Sequence, residues 1–263
     1  MKFNFLARIF VIISCLSNTS FGQLYKDYKD AINMEYKDSV SFIWLDSMDS
    51  NASINLSLFP YLEGLSIYKW KGSYNFLNNI TIKKLYISFS KGVSNIDFSI
   101  FNELEELEIP NNKLTEFPLS ITQLKKLKKL RIGDQYYDAY PLCEDDSYFQ
   151  TQNKIVSLPE SISELIELEN LDISFNPIVN FPDSFSKLEK LQFLDISKTD
   201  IQDLPVYLIE SRKEKLTLRY FTGNENHFSK KTKSYLSKQE FRSSSTTKCI
   251  KNGRFKRVSK SLS

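Results

Sequence analysis

Asp172 and Asp195 are the residues of this sequence best placed to do chemistry together. Each stands between a leucine and an isoleucine, and 23 residues separate them. If the chain returns on itself once between them, their backbones lie about 5 Å apart in a sheet. They could then share a cation, or stand as two solvated carboxylates on a repeated surface. Other reactive residues are sparse. The only histidine, His227, leaves nucleophile–base pairs and His-based zinc sites without a second member. GxGxxG, GxxxxGK[ST], GxSxG and HExxH are all absent. No catalytic residue, metal or cofactor is expected.

A second group of residues suits contact more than catalysis. Residues 133–151 hold Asp134, Asp138, Glu144, Asp145 and Asp146 with no Lys or Arg, and also Tyr136, Tyr137, Tyr140, Tyr148 and Phe149. Tyrosine gives large contact area at low entropic cost. The acidic run lacks the spacing of a calcium loop. The segment is expected either to meet a partner or to pack as a flap on its own body.

Charge divides the 263-residue chain. Its formal net charge is +3, yet residues 1–210 carry 20 Lys+Arg against 29 Asp+Glu, and residues 211–263 carry 15 against 3. An acidic body with a basic tail points to two segments with different jobs. Phe228, Tyr235, Phe241 and Phe255 are interspersed in that tail, and residues 228–241 could form a basic amphipathic helix. No nucleic-acid motif accompanies them. At 41% hydrophobic residues the chain can build a core, while three cysteines are too few for a disulfide framework.

The elements that position these residues follow from a repeat. Leu104, Leu107, Ile109, Asn112, Leu114, Phe117-Pro118, Ile121 and Leu124 set a pattern. It recurs from Leu168 through Phe181-Pro182 to Leu188, and again from Leu191 through Leu204-Pro205 to Leu208. Leu127, Leu130 and Ile132 open a further unit that resumes at Asn153, Ile155 and Leu158-Pro159, so residues 133–151 interrupt it. Looser units begin at Val40, Leu62 and Ile82, where Met48, Trp70 and Ser90 replace the asparagine, and Leu216 and Leu218 suggest a last strand. Alternation in each LxL core predicts a short strand with two residues inward. A single coil cannot offset the entropy of ordering its backbone, so the units must stack.

The pattern resembles LxxLxLxxNxLxxLPxxIxxL, the leucine-rich repeat, in the 23-residue LPxxI form found in bacterial proteins and Ras-pathway scaffolds. The resemblance implies an α/β solenoid: a curved, right-handed stack of coils with a parallel β-sheet on its concave face. It also implies that partners bind that face. Eight strands are expected, whose central outward column runs Trp44, Ser66, Tyr86, Glu108, Arg131, Asp172, Asp195 and Thr217. Beside it run Phe42, Gly64, Lys84, Glu106, Lys129, Asn170, Phe193 and Lys215. The expected contact residues are Tyr86, Glu108, Arg131, Tyr136, Tyr137, Tyr140, Asp172, Phe193 and Asp195.

The flanks complete the reading. Residues 1–22, with Lys2, Arg8, the apolar run Ile9–Leu16 and small residues before Gln23, read as a signal peptide cleaved after Gly22. The alternative is a lipobox ending at Cys15. Residues 23–39 are expected to form an N-terminal helical cap, 40–221 the repeat domain, and 222–263 a partly disordered basic tail. The expected function is non-catalytic binding of a protein ligand by an exported protein. The alternatives are an envelope protein held at an anionic surface by its tail, and a scaffold presenting a separate catalytic chain.

Overall fold

The computed structural model describes residues 24–134, 150–205, 207–208, 216–219, 228–236, 248–251 and 254–257. Nine strands form one sheet in sequence order: β1 (Leu24–Asp27), β2 (Val40–Asp46), β3 (Gly64–Tyr68), β4 (Lys84–Ser88), β5 (Glu106–Glu108), β6 (Lys129–Arg131), β7 (Asn170–Asp172), β8 (Phe193–Asp195) and β9 (Thr217–Arg219). Every neighbouring pair is parallel. Strand order equal to sequence order means that each crossover leads to the next position along the stack, which is a solenoid. Ile43, Leu65, Leu85, Leu107, Leu130, Leu171, Leu194 and Leu218 share one register row, and all are buried in a single continuous core.

Each coil from β2 to β8 returns through at least one short 3-10 turn. In three later coils the turn follows a proline, at Leu119–Gln123, Glu160–Glu164 and Asp183–Lys187. Proline presets the backbone there and lacks only an N–H that a helix start would leave unused. These turns bury Ile121, Ile162 and Phe185. Earlier coils use Asn55 and Asp97 at the same place, whose side chains accept hydrogen bonds from Ser57 N and Ser99 N.

An amide ladder closes the bends after β5, β6 and β7, and the Thr199 hydroxyl takes its place after β8, donating to Ile196 O. Asn153 is the centre of the ladder: Oδ1 accepts from Asn112 N and Leu114 N, both at 3.0 Å, while Nδ2 donates to Ile109 O and Ile132 O. Asn112 donates to Ile87 O and accepts from Ser90 N. Asn176 accepts from Ile155 N. Asn153 therefore restores the repeat after the interruption, as its sequence position implies.

Two expectations need correction. The N-terminal cap is not mainly helical: Leu24–Asp27 is a strand paired with β2, and only Tyr28–Ala31 is α-helical. The seven-residue β2 would otherwise present an unpaired edge, which β1 covers. Tyr28 is buried and its hydroxyl accepts from Asn55 N, tying the cap to the next coil. In β9, Thr217 pairs with Phe193 and Arg219 with Asp195, so the row expected to end in Lys215 and Thr217 is shifted by two residues. Alternation cannot choose between such registers, because a two-residue slip keeps every side chain on the same face.

Beyond the sheet, Phe228 enters the core and the helix Lys230–Leu236 lies against the last coil. Ser229 N donates to Gln202 O, and Leu204 N donates to Thr232 Oγ1. Ser229 and Thr232 hydroxyls both bond Asp203. Lys248–Lys251 and Arg254–Arg257 pair antiparallel as a second, two-stranded sheet. Part of the basic tail is thus ordered secondary structure. Residues 1–22, Tyr136, Tyr137, Tyr140, Cys143 and His227 lie outside the described residues.

Candidate partner-binding face

Pleating sends every second strand residue away from the core, so the two outward rows of β2 to β8 make an open face. At its N-terminal end the face is aromatic. The Phe42 ring lies over Gly64, where an added Cβ would stand 2.3 Å from Phe42 Cδ2. Only glycine admits that ring. It reaches Tyr86 at 5.9 Å between centroids and Trp44 at 6.3 Å. At the end of β3, Tyr68 meets Phe89 edge-on at 5.4 Å.

Tyr86 joins this cluster to a charged centre by donating its hydroxyl to Glu106 Oε2 at 2.9 Å. Glu106 also pairs with Lys84 at 3.1 Å. Glu108, 3% exposed, lies 2.6 Å from Lys129 Nζ and 3.8 Å from Arg131. Arg131 Nε stands 3.3 Å from Asp172 Oδ2, close enough for ion pairing but off the hydrogen-bond axis. The face therefore alternates acid and base across neighbouring coils.

Burial sets the protonation of these groups. Desolvation disfavours the Glu108 carboxylate, but the charges of Arg131 and Lys129 outweigh it and hold its pKa below the ordinary value. At Asp172 the balance reverses: burial outweighs Arg131 and the Ser174 hydrogen bonds, and the pKa is raised. Burial also opposes the charge on Arg131, and Glu108, Asp172 and Asp195 overcome it and push its pKa up.

Both aspartates accept hydrogen bonds from the bends that follow them. Asp172 Oδ1 accepts from Ser174 N at 3.0 Å and Ser174 Oγ at 2.6 Å. Asp195 Oδ1 accepts from Ser197 N at 2.9 Å, and Asp195 is 3% exposed. Each clamps the bend two residues beyond itself. Gly133 makes room for this, since a Cβ there would fall 2.1 Å from Asp172 Oδ1. Among the described residues, no group of three or more His, Cys, Asp or Glu is arranged to hold a metal ion.

Of the expected contact residues, Tyr86, Glu108, Arg131, Asp172, Phe193 and Asp195 do share the open face. Glu108 and Asp195 lie too deep to offer contact area. Phe42 and Trp44 belong with Tyr86, as do Glu106, Lys84 and Lys129 with the charged centre. The alternating LxL pattern places all five on this face, but which side chains meet depends on Gly64 and on rotamers.

The family model for the Leucine Rich Repeat matches residues 167–188, which contain β7 and the turn that follows. The coils are leucine-rich repeats. Among solved structures the solenoid is similar to internalin C2 from Listeria monocytogenes, with 19% identity and a TM-score of 0.54, over 79% of this chain and 81% of that one. It is similar also to the internalin InlF from the same organism, with 17% identity and a TM-score of 0.50, over 78% of this chain and 61% of that one. A leucine-rich repeat protein of Leptospira interrogans matches at 19% identity and a TM-score of 0.48, over 73% of this chain and 50% of its own. At these identities the likeness to the two internalins is one of fold. No curated protein matches the sequence.

Proposed function

We propose that this chain is a non-catalytic binding protein of bacterial origin, exported, that captures a protein ligand on the open face of its leucine-rich repeats. The leucine-rich repeat fold itself points to protein binding. The observation that carries the finer reading is the junction of Trp44, Tyr86 and Arg131 with a charge network already paired within the face. Tyr, Trp and Arg dominate the energy of protein interfaces, and a partner covering them would desolvate few unpaired charges. The acidic, tyrosine-rich segment 133–151 follows β6 in the sequence and is proposed to extend the contact.

The test is a pull-down with the chain from residue 23, followed by substitution on the captured complex. Trp44→Ala and Tyr86→Ala are each expected to weaken capture by about 2 kcal/mol, or roughly thirtyfold. Replacing residues 134–150 with a short linker should keep the fold and lose much of the affinity. Undiminished capture by both tyrosine and tryptophan variants would overturn the reading of the open face. N-terminal mass spectrometry on the native protein decides between Gln23 and a lipidated Cys15.

A further inference from the structure

Coil length changes along the stack. Leu65 and Leu85 pair at equivalent inward positions 20 residues apart, whereas Leu85 and Leu107 are 22 apart. The shorter connection, from β3 to β4, holds one 3-10 turn at Asn75–Leu77. The longer one, from β4 to β5, holds two, at Val93–Asn95 and Phe98–Ile100. A coil with less chain cannot cover the whole flank of a longer neighbour, so their join leaves a step. The step is a cavity of about 540 Å³, lined from 72–78 on one side and from 92–100 on the other. That volume lies within the range of small-molecule sites. None of the lining residues belongs to a strand, so the cavity is separate from the open face.

The lining combines two chemistries. Leu77 and Ile96 are buried and form an apolar base together with the ring of Tyr74, whose hydroxyl is itself buried. Ile100, 42% exposed, adds an apolar edge. Around them Asn75, Asn78 and Asn95 are exposed, and their carboxamides form no hydrogen bond among the described residues. Gly92, whose φ of 72° already calls for glycine, stands where a Cβ would be 3.8 Å from Asn95 Nδ2 and 4.0 Å from Tyr74 Cε2. The missing side chain leaves the amide and the ring open to the same space. Asp97 Oδ1 caps the second turn, accepting from Ser99 N at 3.1 Å and Ser99 Oγ at 2.6 Å. Its other oxygen is a further acceptor.

These groups select a ligand by exclusion and by fit. Among the described residues the lining holds no Lys, Arg or His, and its one charged side chain is the Asp97 carboxylate. A phosphate or other anion would meet only repulsion there. One carboxylate is also too little for a metal ion, which takes several such ligands. A purely apolar ligand would desolvate three carboxamides without pairing them. Each carboxamide offers an acceptor and two donors, and the neighbouring hydroxyls of a sugar ring both donate and accept. The C–H face of such a ring suits the apolar base. We propose that this step between the β3–β4 and β4–β5 connections is a binding site for a neutral sugar. Asn75, Asn78, Asn95 and Asp97 pair with its hydroxyls, and Tyr74, Leu77 and Ile96 receive its apolar face. The role does not depend on the open face or on its ligand.

The test is saturation-transfer NMR, followed by titration, of the full chain with the methyl glycosides of glucose, galactose and mannose and with N-acetylglucosamine. At least one is expected to bind with a Kd on the order of 1 mM, the affinity that a single sugar ring supports. Asn75→Ala combined with Asn95→Ala should weaken that binding roughly tenfold or more, through the loss of two hydrogen bonds. The double variant should keep the melting temperature of the parent, because both carboxamides are exposed and tie nothing together in the fold. Trp44→Ala should bind the sugar as the parent does. Absence of saturation transfer to all four sugars would overturn the proposal, as would undiminished binding by the double variant. Loss of binding in Trp44→Ala would overturn it by moving the sugar to the open face. Displacement of the sugar by inorganic phosphate at equal concentration would overturn it by showing an anion site.

Discussion

In the first three coils after Leu104 an asparagine holds the bend beyond each strand, and a proline starts the return turn. In the coils before it, the same two jobs fall to different residues. Ser90 takes the ladder position, accepting from Trp70 N at 2.9 Å and donating to Ser88 O. Trp70 stands one coil earlier, where its indole donates to Ser73 O and its ring fills the core. Spacing differs as well: the inward residues Ile43, Leu65, Leu85 and Leu107 are 22, 20 and 22 apart, whereas Leu107 to Leu130 and Leu171 to Leu194 are each 23. The strand register is nonetheless continuous. A parallel stack therefore requires that the bend's backbone groups be satisfied, and it does not require asparagine.

The comparison is broken most directly at the ladder. Asn153→Ala removes four hydrogen bonds and leaves buried backbone groups unpaired, so it should cost about 3 kcal/mol or more in chemical unfolding. Ser90→Ala removes the acceptor of one N–H and should cost about 1 kcal/mol. Equal losses would mean that the two halves depend on their ladders alike. Next in size is Gly133→Ala, which drives a methyl into the Asp172–Ser174 clamp. Overpacking of that kind should cost about 2 kcal/mol, seen as a lowered unfolding midpoint.

The charged centre of the open face belongs to the later coils, and pH separates its members. Because the folded pKa of Glu108 is depressed, its stabilisation is complete above the ordinary carboxylate range and is lost as pH falls through the folded value. Because that of Asp172 is raised, its contribution has the opposite sign: ionisation costs stability as pH rises from its unfolded value through its folded one. Glu108→Gln should lower stability at neutral pH by about 2 kcal/mol and flatten the acid limb of the stability profile. Asp172→Asn should remove the opposing limb while keeping an acceptor for Ser174. Unfolding midpoints measured from acid to neutral pH read both effects. Parallel profiles for the two variants would contradict the assigned directions.

The coils of β5 to β7 were legible in the sequence, because Leu, Asn and Pro recur at fixed offsets that only stacked coils satisfy, whereas the register of β9 was not, since a two-residue slip keeps the same alternation. The early coils were legible as strands through Val40, Ile43, Leu45 and their equivalents, but Ser90 as a ladder member was not, since a hydroxyl replaces an amide there. The cap was misread because Tyr25 to Lys37 carries helical spacing, while the exposed edge of β2, which favours a strand at Leu24–Asp27, is a tertiary fact. On the open face, composition showed aromatics and charges in rows. It did not show that Glu108 and Asp195 are buried, because burial there comes from neighbouring coils and not from residue type. The hairpin at 248–257 was signalled by Asn252-Gly253, a cue masked by the basic, serine-rich surroundings.

The smallest expected effect sharpens the comparison at the backbone. Two residues beyond the second inward position, both halves place a non-glycine residue at positive φ: Ser47 at 49°, Lys69 at 55°, Phe89 at 54°, Asn111 at 57°, Phe175 at 57° and Lys198 at 55°. For most side chains this conformation costs about 1 kcal/mol or more. Asn111 bears it most easily, because asparagine tolerates the left-handed region and its Nδ2 donates to Asp134 Oδ1 at 3.2 Å. Ser47 has only an exposed bond to the neighbouring Asp46. Ser47→Gly should therefore raise stability by about 0.5 kcal/mol, the relief of strain slightly exceeding the entropy glycine adds to the unfolded chain. Asn111→Gly should lower it by about 1 kcal/mol through the lost buried hydrogen bond. Opposite signs in paired unfolding measurements would show that the later coils turn an unfavourable backbone position into a tie, while the early coils only tolerate it. Matching signs would remove that distinction.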